Sequence, residues 1–409
     1  MKELRVNNIR EDLPYYFMLI CAFLIPLHKI ILPWFISFWA VTAVFTYPWK
    51  KLLSVFIRNR IAWLFPMIYI LSAIALFYTD NIPNGLFKLE VKLSYLIFPF
   101  LMLPAVEYNI QKRFKIMLSF VTGNLLAVLI CITYAIINYS SIGINAFYYY
   151  KLSLFHHTSY AAMYLTFAIS ILYMCYLRQK VFPIAKWSFF PVFFLFLAFI
   201  YFLSSKSGLI CMVGLIIVFL AMSVRQSFSW ANLVFSLIII GATVFIVLQN
   251  ERFSGATKVV STEINPETTE STSSRIIVYT TSLEIIGKNL FIGTGPGDAD
   301  DELIKEYHKK GYTGAEEKRL NTHNQYLQTL LSLGLPGIIL LICAFMLPVY
   351  LHRKSNLMLI FFLGITGFNF LFESVLETQS GIIFFMFFYT LLNYTNKYND
   401  NDSVFSTSH

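Results

Sequence analysis

Long runs of uncharged, apolar residues recur along this chain, and no water-soluble fold has enough interior to cover them. LIFPFLMLPAV (residues 96–106) and FFPVFFLFLAFIYFL (residues 189–203) are two examples. Such a run is stable inside a bilayer, where a helix satisfies its own backbone hydrogen bonds and needs about 20 apolar residues to cross. Composition agrees: 57% of the residues are hydrophobic, 18% aromatic and only 13% charged, where soluble chains carry roughly a quarter charged. A soluble enzyme, a fibrous protein, a disordered tail and a small disulfide scaffold are thereby excluded. The expected fold is all-α, a polytopic integral membrane protein.

Twelve apolar runs are discernible, at residues 14–27, 30–47, 61–79, 91–105, 114–138, 158–177, 187–204, 208–224, 230–249, 324–351, 356–372 and 380–394. Two adjacent pairs, 14–49 and 187–224, are slightly short for two full crossings, and charge decides them. With the N-terminus inside, 17 of the 31 Lys and Arg fall in cytoplasmic segments, and the short outer connections hold only Lys29, Lys88, Lys92, Lys151 and Lys206. Merging either pair would put basic loops on both sides, against the positive-inside rule. The expectation is therefore twelve transmembrane helices with both termini cytoplasmic: nine in residues 1–249, a long periplasmic loop over 250–323, three more in 324–396, and a cytoplasmic tail at 397–409. The net charge of +9 then reports topology rather than a nucleic-acid partner. All five cysteines lie inside apolar runs, so neither disulfides nor a thiolate metal site is expected. The N-terminus has no small-residue cleavage site after its first apolar run, and no cleaved signal peptide is expected.

The loop 250–323 is the one soluble-looking segment, with 12 acidic and 9 basic residues. It opens on a Ser/Thr/Glu-rich stretch, expected to be a mobile flap over 261–274. It regains helical periodicity in SRIIVYTTSLEIIGKNL, turns at GTGPGD, and continues as a charged helix-like stretch from Asp300 to Arg319. Long loops on rigid scaffolds concentrate function. GTGPG superficially matches a dinucleotide fingerprint, but no βαβ strand precedes it, and that match is rejected.

Ionisable groups at membrane depth are costly, so each invites a reason. NTHNQYLQTLLSLGLPG places His323 and Asn324 where the loop enters a span; the plain alternative is a helix cap at Asn321 or Thr322 with His323 exposed in the first turn. Arg275 heads an amphipathic helix and carries the guanidinium fork suited to phosphate, or is simply solvated. Lys206 lies in the tight turn LSSKSG, as a fixed cation or a snorkelling lysine. His156 and His157 are adjacent, but helix neighbours point about 100° apart and no third ligand follows, so a zinc site is not expected. In FESVLETQSG, Glu373 and Glu377 are expected to share a helix face with Gln379 nearby. In FKLEVKLSYL, Glu90 between Lys88 and Lys92 suggests local neutralisation, and Lys92 alone suggests phosphate attraction. Cations, a histidine and carboxylates at one membrane level fit a transferase acting on a lipid-linked anionic substrate; a transporter more typically places polar groups at mid-bilayer.

Three features together carry a resemblance: about twelve spans, a long penultimate outer loop ending in HNQYL before Gly334 and Gly337, and Arg275 upstream of a Gly-x-Gly turn. The chain resembles the O-antigen ligase and polymerase superfamily of bacterial envelopes, and FESVLETQSG looks like the Glu-x-x-x-Glu-x-Gln-x-Gly segment of its ligase-like branch. The resemblance implies metal-independent glycosyl transfer at the periplasmic face of the inner membrane, without a cofactor. It implies an undecaprenyl-diphosphate-linked glycan as donor and lipid A core, or another glycan, as acceptor. By position His323 matches the histidine that activates or orients the acceptor hydroxyl, and Arg275 the arginine that engages the diphosphate. Lys206 stands where an arginine is usual, keeping charge but losing the fork. His157, Asn324, Glu373, Glu377, Gln379 and Lys92 are the further candidate substrate contacts. Ligase activity is the leading expectation, with polymerase and protein O-glycan transferase as alternatives and a lipid-linked-sugar transporter as the alternative of a different class.

Overall fold

The computed structural model describes residues 2–102, 108–177, 186–226, 229–249, 266–267, 271–352 and 356–393. Among them there are helices, short 3₁₀ segments and turns, and no strand. Among the described residues, five helices are long and apolar enough to cross a membrane: Arg60–Tyr78, Ile110–Ile137, Thr158–Leu177, Lys206–Val224 and Gln325–Leu351. Shorter apolar helices cover Asp12–Leu24, Leu32–Thr46, Phe189–Leu203, Leu357–Asn369 and Gln379–Asn393, and a further helix runs Trp230–Leu248. The protein is thus an all-helical, multi-pass membrane protein. The tail 397–409, the basic residues Arg178, Lys180, Arg353 and Lys354, and most of the stretch 261–274 lie outside the described residues.

One apolar run behaves differently from its expectation. Residues 91–105 form no single helix: Ile82–Val91 ends at Lys92, and the helix that resumes at Ser94 ends at Leu101. Eight residues at 1.5 Å each rise only about 12 Å, well short of a hydrocarbon core of about 30 Å.

The chain divides into two compact units. One comprises Met1–Ile25, Lys29–Ile116 and Glu263–His409; the other comprises Pro26–His28 and Met117–Thr262. In the first, the helix Gln379–Asn393 is buried along its whole length from Gly381 onward. Aromatic rings fill the space around it. Phe385 and Tyr389 lie 5.3 and 5.0 Å from Phe65, and Phe385 lies 5.5 Å from both Phe362 and Phe370. In the second unit, Thr158–Leu177 is the buried helix, packed on Lys186–Leu203 and Lys206–Gln226, with Tyr173 stacked on Phe219 at 3.7 Å.

The loop ahead of residue 324 folds around an apolar core that it shares with Leu331 of the following span. Helices Ser271–Lys288, Ala299–Lys310 and Thr313–Glu317 enclose Ile277, Val278, Ile285, Leu303 and Tyr307. Gly311, at φ 70°, ends the second of these in the left-handed conformation that glycine tolerates.

The helix Gln325–His352 is broken at Gly334 (φ 64°, ψ −159°). Pro336 has no N–H to offer the Ser332 carbonyl, and the Leu335 N–H goes to Leu290 O instead (2.9 Å). The glycine turn repairs both losses: Thr294 N–H donates to Leu331 O (2.8 Å) and Gly295 N–H to Ser332 O (3.0 Å). Broken membrane helices persist only where freed backbone groups find such partners. GTGPGD is therefore the joint that seats the loop on the span.

Candidate active site

The turn NTHNQ is shaped by its own amides. The Asn321 side chain accepts from the His323 N–H (3.0 Å), while Asn324 Oδ1 accepts from the N–H groups of Tyr326 and Leu327 (2.9 and 3.1 Å). Asn324 is thus the helix cap, rather than the Asn321 or Thr322 of the plain alternative, and His323 stands just before the helix. Its φ is +44°, a conformation costly for a side chain bearing a Cβ and kept only where surroundings over-determine it.

A second irregular segment, residues 370–376, lies against this turn and is tethered from four sides. Phe370 O accepts from Gln325 N–H (2.7 Å), Leu371 O from Tyr279 Oη (2.8 Å) and Asn324 Nδ2 (3.2 Å), Phe372 O from Arg275 (3.2 Å), and Leu376 N–H donates to Gln325 Oε1 (2.6 Å). Burial pushes the Tyr279 phenol up, with Arg275 and Asn324 opposing, so Tyr279 is a neutral donor. It occupies the same helix face as Arg275, one turn on. Sequence reasoning overlooked it, although the i,i+4 spacing was a usable signal.

These tethers hold Glu373 between two groups. One carboxylate oxygen lies 3.6 Å from the Arg275 guanidinium and the other 3.6 Å from His323 Nδ1. The Glu373 side chain is 10% exposed, Arg275 20% and His323 33%, so exposure rises from the carboxylate outward. Arg275 also rests over the Phe372 ring at 5.8 Å. An imidazole whose Nδ1 faces a carboxylate keeps Nε2 as its proton acceptor.

Glu377 faces elsewhere. Residues 375–377 form a 3₁₀ turn, so the helix face expected to carry both glutamates is not formed, and Gln379 is exposed at the start of the next helix. Glu377 is paired with Lys92 (3.0 Å) and Lys88 (3.4 Å), and Lys88 also with Asp300 (3.0 Å). Glu90, expected between the lysines as their neutraliser, is exposed instead. Burial pushes Glu377 up, but the two lysines outweigh it and hold it below the usual carboxylate range; burial pushes Lys88 down, but Glu377 and Asp300 outweigh it and raise it. The clusters join through Thr322, whose hydroxyl lies 3.1 Å from Ser374 Oγ and 2.8 Å from Gln328 Oε1, with Gln328 Nε2 3.4 Å from Asp300.

Lys206 and His157 belong to the other unit. Each begins or precedes a helix, and the turns that carry them meet: Ser205 Oγ is 3.4 Å from Ser159 Oγ, and Gly208 packs on Ala162. Ser204 before Lys206 takes φ +50°. His157 is exposed, and His156 turns inward with its ring 5.2 Å from that of Tyr164.

Residues 191–342 match a family model described as O-antigen ligase. The matched segment holds Lys206, Arg275, His323 and Asn324 and ends before Glu373. The match supports the resemblance carried by the motifs: over residues 191–342 the chain is similar to the O-antigen ligase family. No curated protein matches the chain.

Proposed function

We propose that the protein is a glycosyltransferase of the O-antigen ligase type, moving a polysaccharide from undecaprenyl diphosphate to a sugar hydroxyl of lipid A core. The reading carries with it the expected topology: twelve crossings of the bacterial inner membrane, termini in the cytoplasm, the loop 250–323 and its site facing the periplasm. One observation supports it above the others, the placement of Glu373 between the imidazole of His323 and the guanidinium of Arg275.

Glycosyl transfer needs a group to take the acceptor proton and a cation where diphosphate leaves. His323 Nε2 takes the proton as the acceptor oxygen bonds to the anomeric carbon. Glu373, behind Nδ1, holds the ring's tautomer and stabilises the imidazolium. The bond from that carbon to the diphosphate oxygen breaks with inversion, and Arg275 offsets the charge left on the phosphates, which is why no metal is invoked. Asn324 and Tyr279 are positioning residues. Lys92 and Glu377 support the turn from below by their mutual pairing, and Gln379 meets substrate at the exposed end of its helix. Lys206 and His157 hold substrate at the end of their own unit. The Glu-rich turn favours ligase over polymerase.

The test is the glycolipid pattern of a deletion strain complemented with wild type or with His323→Ala. Ligase loss leaves long polymer on the lipid carrier and bare core on lipid A; polymerase loss leaves core capped by a single unit. A normal ladder from His323→Ala removes the proposed acceptor chemistry. Release of undecaprenyl diphosphate from labelled donor by the purified protein separates transfer from transport.

A further inference from the structure

The helix Trp49–Arg58, WKKLLSVFIR, lies between the apolar helices Leu32–Thr46 and Arg60–Tyr78. At about 100° per residue its side chains fall into three arcs. Leu52 and Phe56, one turn apart, are buried, and the Phe56 ring packs 4.4 Å from Trp63 and 5.7 Å from Phe100. Trp49, Leu53 and Ile57, at successive turns, are 59%, 40% and 57% exposed. Lys50, Lys51 and Arg58 are exposed on the remaining side, and Arg60 follows them.

Neither uniform environment suits this division. Water would leave Trp49 and Ile57 uncovered, and the bilayer core would strand three cations. A helix lying in the plane of the interface suits all three arcs: one on the protein, one in the acyl boundary, one among headgroups. Trp49 at its start, and Trp63 in the 3₁₀ turn that follows its end, are the residue type that favours that level. Four cations in twelve residues, with no acidic residue from Trp49 to Arg60, select the charge of the headgroup.

We propose that Trp49–Arg58 is an interfacial helix that binds anionic phospholipid, with Trp49, Leu53 and Ile57 immersed and Lys50, Lys51 and Arg58 on the lipid phosphates. This surface is independent of the transferase reading, and its ligand is structural lipid of the bilayer.

The test titrates phosphatidylglycerol, with phosphatidylcholine as control, into the detergent-purified full chain and follows Tm. Wild type is expected to gain Tm with phosphatidylglycerol and not with phosphatidylcholine. Each basic residue near a charged surface contributes about fivefold in affinity, so K50Q is expected to weaken the response about fivefold and K50Q/K51Q/R58Q at least tenfold. The single variant keeps the test decisive even if the triple variant is less stable. Equal response to both lipids in wild type, or an undiminished response in both variants, overturns the proposal. So does a change of oligomeric state in the variants, which assigns the face to a second copy.

Discussion

Oε2 of Glu373 lies 3.6 Å from Nδ1 of His323. That is longer than a hydrogen bond and short for two side chains from segments fifty residues apart. Catalytic hydrogen bonds commonly tighten only when substrate arrives. Glu373→Gln keeps the shape and removes the charge that stabilises an imidazolium. It is expected to lower the transfer rate about 100-fold or more while changing donor affinity far less, as read by kcat and donor Kd on the purified protein.

Arg275 engages Glu373, the Phe372 carbonyl and the Phe372 ring with one planar group. Lysine offers a point charge without the fork. Arg275→Lys is expected to reduce kcat/KM for the lipid-linked donor by about tenfold to 100-fold, corresponding to about 1.4–2.8 kcal/mol, with a smaller change in acceptor KM. Steady-state kinetics with each substrate varied in turn checks the split.

Gly334 and Gly293 meet backbone to backbone at the helix break. A Cβ on Gly334 would stand 2.6 Å from the Phe291 carbonyl carbon, and one on Gly293 2.6 Å from Leu333 N, each glycine holding positive φ. Strain at such a position costs about 1–3 kcal/mol before any clash is counted. Gly334→Ala is expected to lower Tm in detergent more than Gly364→Ala, where an added Cβ meets nothing within 4 Å.

Glu377 is a buried carboxylate between two lysines, and breaking such a pair from one side costs about 3–5 kcal/mol. Glu377→Gln is expected to lower Tm accordingly. The pH dependence has a definite sign. Because its folded pKa is depressed, the stability Glu377 contributes is present above its ordinary value of 4.5 and is lost as pH falls through the lowered value. Wild-type Tm should fall on acidification below that value, and Glu377→Gln should show a shallower fall over the same range.

Much of this was legible in the chain. Every apolar run finds helix, because period and length are local properties, and His323 and Arg275 stand where their motifs put them. Apart from the cap at Asn324 and the overlooked Tyr279, the failures are long-range. The run at 91–105 breaks at Lys92, and that lysine pairs with Glu377, nearly three hundred residues away. The helix face for Glu373 and Glu377 does not form because Gln325, Asn324, Tyr279 and Arg275 take the backbone groups of 370–376. GTGPGD reads as a plain turn until the broken helix it completes is in view. No window of sequence contains both halves of any of these contacts.

The central claim is that His323, oriented by Glu373, takes the acceptor proton. It is tested most directly by single-turnover transfer from labelled undecaprenyl-diphosphate-linked glycan, comparing wild type with His323→Ala at equal donor occupancy. The account predicts donor bound as in wild type and glycan transfer slowed by about 100-fold or more. Transfer at the wild-type rate by His323→Ala would contradict it.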